Sequence, residues 1–156
     1  MRHNRGTLED TGTMLVRAML IVCLLPLAAV AQGTATSDPR TGCRVVNAHP
    51  QPNESIAWSG GCVNGFAQGH GILQWFENSR PTERYEGDMR AGQMDGQGVL
   101  NTGNGGRYEG TFHDGVADGT GTWTTARGSF SGTWKKGCFN DGTRRAWVGA
   151  DPASCP

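Results

Sequence analysis

A chain that performs acid–base or metal chemistry must gather histidines, carboxylates or thiols, and here such residues are scattered. His49, His70 and His113 share no repeating metal-ligand spacing, and none has a serine or cysteine nucleophile motif beside it. His70 lies between glycines and His113 precedes Asp114-Gly115, so a strand and a turn account for both. Asp95 and Asp118 occupy equivalent places before a recurring glycine. Paired carboxylates serve glycoside hydrolysis, but equivalent positions of a repeat recur whether or not they act. Gly103-Asn104-Gly105-Gly106 lacks the Lys-Ser/Thr and the following helix of a phosphate loop, and reads as a turn. The chemistry predicts no catalytic residue, no metal site and no cofactor.

The thiols point to a framework instead. Cys43, Cys62, Cys138 and Cys155 remain once an N-terminal export signal is removed. An even count in a short exported chain argues for disulfides. Three pairings are possible, and the grouping of one pair early and one late favours Cys43–Cys62 and Cys138–Cys155. No Cys-x-x-Cys or Cys/His spacing supports zinc.

The export signal is read from Met19–Val30, an apolar run preceded by Arg17 and followed by Ala29-Val30-Ala31. Cleavage is expected before Gln32, making residues 1–31 a signal peptide. Initiation at Met1 and at Met14 both remain open. Val22 before Cys23, and the apolar residues after it, weigh against a lipid-anchored form. Removing residues 1–31 takes away three arginines and two acids, leaving eleven basic and twelve acidic side chains. That balance gives nucleic acid binding no electrostatic support. The expected location is periplasmic or extracellular.

What remains must be positioned by the most regular feature of the chain. Residues 85–98 read YEGDMRAGQMDGQG and residues 108–121 read YEGTFHDGVADGTG. Both place glycine at the same offsets: Gly87, Gly92, Gly96 and Gly98, then Gly110, Gly115, Gly119 and Gly121. Gly60, Gly65, Gly69 and Gly71 fit the frame, and Gly132 and Gly137 begin a partial fourth copy. Tyr85-Gly87-Met89, Tyr108-Gly110-Phe112 and Phe130-Gly132-Trp134 alternate with polar residues, the period of a half-buried strand. Trp58-Gly60-Cys62 predicts a strand likewise. Asn64-Gly65, Ala91-Gly92, Asp114-Gly115 and Lys136-Gly137 predict tight hairpin turns. Glycine weakens strands, so its recurrence implies packing: a slot in which a neighbouring strand's ring lies flat.

This pattern resembles the MORN (membrane occupation and recognition nexus) repeat, best over residues 84–106 and 107–128. Residues 129–142 match in their first half, and 57–75 match with Trp58 and Cys62 substituted. The resemblance implies an all-β fold, an elongated and twisted antiparallel sheet of stacked β-hairpins. The array spans residues 57–147, about four repeats with the first and last degenerate. An irregular segment, 32–56, precedes it and a tail, 148–156, follows, the ends being tied by the disulfides.

The resemblance also implies a non-enzymatic binding or scaffolding module, through protein association or phospholipid contact. Glu86 and Glu109 are expected on the solvent face. The acids Glu77, Glu83, Glu86, Asp88 and Asp95 come early, and the basic residues late. Trp123, Trp134 and Phe139, with Lys135, Lys136, Arg144 and Arg145, form the candidate binding patch, weighed against core packing of the same rings. The expected partners are a protein, a second copy of the chain, or an anionic lipid surface.

Overall fold

Five two-residue turns with successive positive φ values set the frame of the structure, a computed structural model that describes residues 34–156. The signal-peptide reading of residues 1–31 lies outside the described residues. Asn64-Gly65 has φ values of 52° and 76°, Ala91-Gly92 49° and 79°, Asp114-Gly115 48° and 85°, and Lys136-Gly137 50° and 80°. Two successive positive φ values match the right-handed twist of paired strands, so each turn closes a hairpin. Asn78-Ser79 makes the fifth with φ values of 51° and 63° and no glycine.

The strands run out from these turns. β3 (Glu54–Trp58) and β4 (Gly61–Val63) both pair with the long β5 (Phe66–Glu77), which returns as β6 (Arg80–Arg90). Then β7 (Gln93–Asn101), β8 (Arg107–His113), β9 (Val116–Thr125) and β10 (Gly128–Trp134) add in sequence order. All these pairings are antiparallel, as expected for stacked hairpins. Glu86 and Glu109 lie exposed, opposite the buried rings.

The ends depart from the expected order. Residues 32–56, read as irregular, hold β1 (Thr34–Ser37), β2 (Arg44–Asn47) and most of β3. β1 and β2 are too short to show a period, and their partners are distant. The Arg44 amide donates to the Gly65 carbonyl at 3.0 Å and the Val46 amide to Gly92 at 2.8 Å. β2 thereby lies along the row of turns and makes a single parallel bridge to β5, an exception to the antiparallel rule. The expected Trp58–Cys62 strand breaks at Ser59-Gly60, where the Ser59 hydroxyl accepts from the Ile72 amide at 2.8 Å. At the other end β11 (Cys138–Asn140) leaves the sheet to pair with β12 (Arg145–Trp147). Val148 donates to the Gly137 carbonyl at 2.8 Å and accepts from Ala117 at 3.2 Å, closing that end of the row. Cys155 ties the last residues to Cys138, just after a short 3-10 turn at Pro152–Ser154.

Both disulfides follow the favoured pairing. Cys43 joins Cys62 with Cα atoms 5.8 Å apart, and Cys138 joins Cys155 at 5.5 Å.

The core is a column of rings over glycines. Gly87 and Gly98 are cross-strand partners, and a Cβ on either would lie 2.5 Å from the Tyr85 hydroxyl. Tyr108 covers Gly110 and Gly121 in the same way, and Trp58 covers Gly60 and Gly71. Each ring therefore starts on its own strand and crosses to the next, spanning both glycines. Phe112 packs edge-on against Tyr85 at 5.2 Å and Tyr108 at 5.0 Å, and Trp134 continues the column against Tyr108 at 5.1 Å. Such pairs add about 0.5–1.5 kcal/mol each beyond the area they bury.

Candidate ligand-binding groove

The rings are fixed by hydrogen bonds as well as packing. Each Tyr-x-Gly strand shifts register against its return strand between Gly87 and Met89, and between Gly110 and Phe112. A bulge leaves a residue unpaired. The Tyr85 hydroxyl donates to the Asp88 carbonyl at 2.9 Å, and Tyr108 to Thr111 at 3.2 Å. Burial pushes the Tyr108 hydroxyl up to about 12 and raises that of Tyr85 further, so both remain neutral donors.

The equivalent acids Asp95 and Asp118 belong to this scaffolding. Asp118 accepts from the Lys136 amide at 3.2 Å, and Gln68, at the same repeat position, accepts from Ala91 at 3.1 Å. Each hooks the first residue of the next hairpin's turn. At Asp95 the Arg90 guanidinium, at 2.6 Å, holds the carboxyl below the usual range, with the Asp114 backbone adding to the effect. Asp95, His113 and Asp114 approach closely enough to share an ion. Arg90 already supplies the positive charge there, 3.4 Å from Asp114. His70 lies exposed, 3.3 Å from Asp88.

The basic and aromatic residues read as one patch are separated by burial. Trp134 and Phe139 are core residues, 1% and 4% exposed. Lys135, Lys136, Arg144 and Arg145 remain exposed. Arg144 is engaged by Asp141 at 2.7 Å, donates to the Ser129 carbonyl at 3.1 Å and stacks over Phe130. Only Trp123 is a half-buried ring, and it belongs to a different surface.

That surface is a groove of about 830 Å³ on the ring face of the sheet. Its floor is Leu73, Trp75, Met94, Leu100 and Trp123. Trp75, Met94 and Trp123 are only partly buried, packed on one side against the core. The 45–51 segment and residues 147–150 contribute further lining. Glu54, Glu77, Glu83 and Asp114 are its carboxylate side chains, and no lysine or arginine among the described residues lines it.

Of these residues, sequence reasoning singled out Trp123 for binding and noted Glu77 and Glu83 only as part of an early acidic run. Trp75 lies four residues beyond Gly71 and outside the shared frame. Glu54 reaches the groove only because β3 doubles back onto β5. Asp38 was also missed, a fully buried carboxylate that accepts from the Trp58 amide at 2.8 Å.

The repeat identity of this sheet is decided by a family model. The MORN repeat model matches residues 58–80, 85–107 and 108–130. This is a MORN-repeat chain. The matched stretches run from β3 into β10 and contain the ring-over-glycine units of Trp58, Tyr85 and Tyr108. The partial fourth copy lies almost wholly beyond the match, and there the return strand leaves the sheet as β11. MORN repeats are in general protein- or membrane-binding modules. No curated protein matches the chain.

Proposed function

We propose that this chain is a non-catalytic binding module that associates with a partner protein through the ring face of its MORN sheet. The observation that carries the reading is the groove itself, floored by Trp75, Met94 and Trp123, which the fold leaves half-covered. Aromatic and methionine side chains held on a rigid sheet bring large contact area at low entropic cost, the composition of interface cores. An exported, disulfide-tied protein agrees with the apolar N-terminal run and the two cystine bridges. Binding is favoured over catalysis because the carboxylates outside the groove are taken up by turn amides, as at Asp118 and Asp141, or by exposed arginines, as at Glu86 and Glu109.

A phospholipid role draws less support from the late cations. Of the rings grouped with them, Trp134 and Phe139 are in the core and Trp123 faces the groove, and Arg144 is committed to Asp141 and Ser129. The test is position-dependent photocrosslinking in the native compartment. A crosslinker at Met94 or Trp147 should capture a protein partner, whereas one at Thr122 on the opposite face should not. Absence of crosslinks at every position, with liposome binding retained, would overturn the proposal in favour of the lipid.

A further inference from the structure

Resting on that reading of the groove, we infer that its occupant is an extended segment of a partner protein that pairs apolar side chains with lysine or arginine. A cavity of about 830 Å³ is sized for a few side chains rather than a folded domain. Its floor requires apolar groups, and its charge requires cationic ones. Glu54 and Glu77 face each other directly across β3 and β5. Like charges in that register destabilise a sheet, so the pairing is a local cost that the fold alone does not explain. Glu54 accepts only from neutral donors, Asn47 at 2.6 Å and the Gln51 amide at 3.1 Å. The Glu77 and Glu83 carboxylates make no hydrogen bond or ion pair among the described residues. Arg80, opposite Glu77 in the hairpin, does not pair with it. Burial raises the Glu83 carboxyl, and Glu54 raises it further.

Three carboxylates thus line the groove with Trp75, none of them in an ion pair among the described residues. A partner's ammonium or guanidinium supplies the countercharge while a neighbouring apolar side chain covers Trp75 and Trp123. An anionic headgroup would meet charge of its own sign there. Since charge-assisted contacts steer association and select partners, the rim decides specificity and the floor supplies most of the affinity.

The test uses the purified, disulfide-intact protein and three labelled peptides, read by fluorescence anisotropy. One alternates lysine with leucine and phenylalanine, one replaces each lysine by glutamate, and one is oligolysine. The first should bind at least about tenfold more tightly than either control, a difference of ~1.4 kcal/mol. Its affinity should fall several-fold as salt shortens the screening length from about 30 Å at 0.01 M to about 3 Å at 1 M. The double variant Glu77→Gln/Glu83→Gln loses no internal bond, so it should fold normally yet bind about three- to tenfold more weakly. Trp123→Ala should weaken binding without removing its salt dependence. Equal binding of the acidic peptide, equal binding of oligolysine, or an unaffected double variant would each overturn the inference. Crosslinks to a protein from Met94, with no preference for the basic peptide, would leave the proposed function standing while this inference fell.

Discussion

The Tyr85 hydroxyl donates to the carbonyl of Asp88, three residues along its own strand, at 2.9 Å. Trp58, which stands where the other repeats have tyrosine, donates from its indole nitrogen to Gly61, also three residues on, at 2.8 Å. The first repeat is therefore degenerate in residue type and conserved in geometry. A ring that lies over two glycines and ends in a donor is what the position demands, and tyrosine and tryptophan both supply it.

Tyr85→Phe should cost about 1–2 kcal/mol, because it leaves the Asp88 carbonyl without its buried donor. Gly98→Ala should cost more, roughly 2–3 kcal/mol, since the new Cβ would meet the Tyr85 ring and hydroxyl. Gly103→Ala, whose Cβ would find its nearest neighbour at 3.7 Å, should be near neutral. Urea unfolding of the three variants ranks them; equal costs would refute the ring-and-slot account.

The hook from Asp118 to the Lys136 amide gives a local prediction. Asp118→Ala should speed hydrogen exchange at Lys136 and Gly137 and cost about 1 kcal/mol globally. Exchange at Asn64 and Gly65, at the far end of the row, should not change. A uniform acceleration along the chain would show that the hook is not local.

Each disulfide closes a short loop, of sequence separation 19 and 17. Loops of that length stabilise by roughly 3 kcal/mol through the unfolded state. Cys43→Ser should cost more than Cys155→Ser, because Cys43 is fully buried and Cys155 is not. Mass spectrometry of unreduced protein should find no free thiol among the four and no crossed pair.

Asp38 should make the chain acid-labile. Burial alone would push its carboxyl up, but the Trp58 amide and the Arg40 side chain and amide more than offset this, bringing it down to about 2. A lowered folded value means stability that is present above the unfolded value, near 3.8, and lost as pH falls through it towards 2. The loss should amount to roughly 1–2 kcal/mol. Asp38→Asn should be less stable at neutral pH and should lose less on acidification between about pH 5 and pH 2. Parallel slopes for the two proteins would remove Asp38 from the account.

Glu83 should behave oppositely. Its raised carboxyl contributes stability fully present at low pH and lost as pH rises through the folded value. Glu83→Gln should therefore stabilise the unliganded protein at pH 7 by a few tenths of a kcal/mol, with the gain vanishing under acid. Thermal melts at pH 7 and pH 3 test this, and a gain that persists at pH 3 would contradict the electrostatic cause.

The sequence by itself determined the repeating unit. Asn64-Gly65 and Asp114-Gly115 specify their turns through residues that tolerate positive φ, and Tyr85-Gly87 specifies its strand through local alternation. Such signals act over a few residues and are legible without a partner. The cysteine grouping likewise indicated how the ends are tied. Tertiary structure decided what the array leaves open. β2 exists because distant carbonyls at Gly65 and Gly92 take up its amides, β1 because it pairs with β2, and Asp38 is held by the Trp58 amide. Trp134 went to the core by packing on Tyr108 and Phe139 by packing on Trp134, while Lys135 and Lys136 stay exposed. Glu54 and Glu77 are 23 positions apart in the chain and become neighbours only when β3 pairs with β5. A groove is a relation between strands, and local sequence does not encode it.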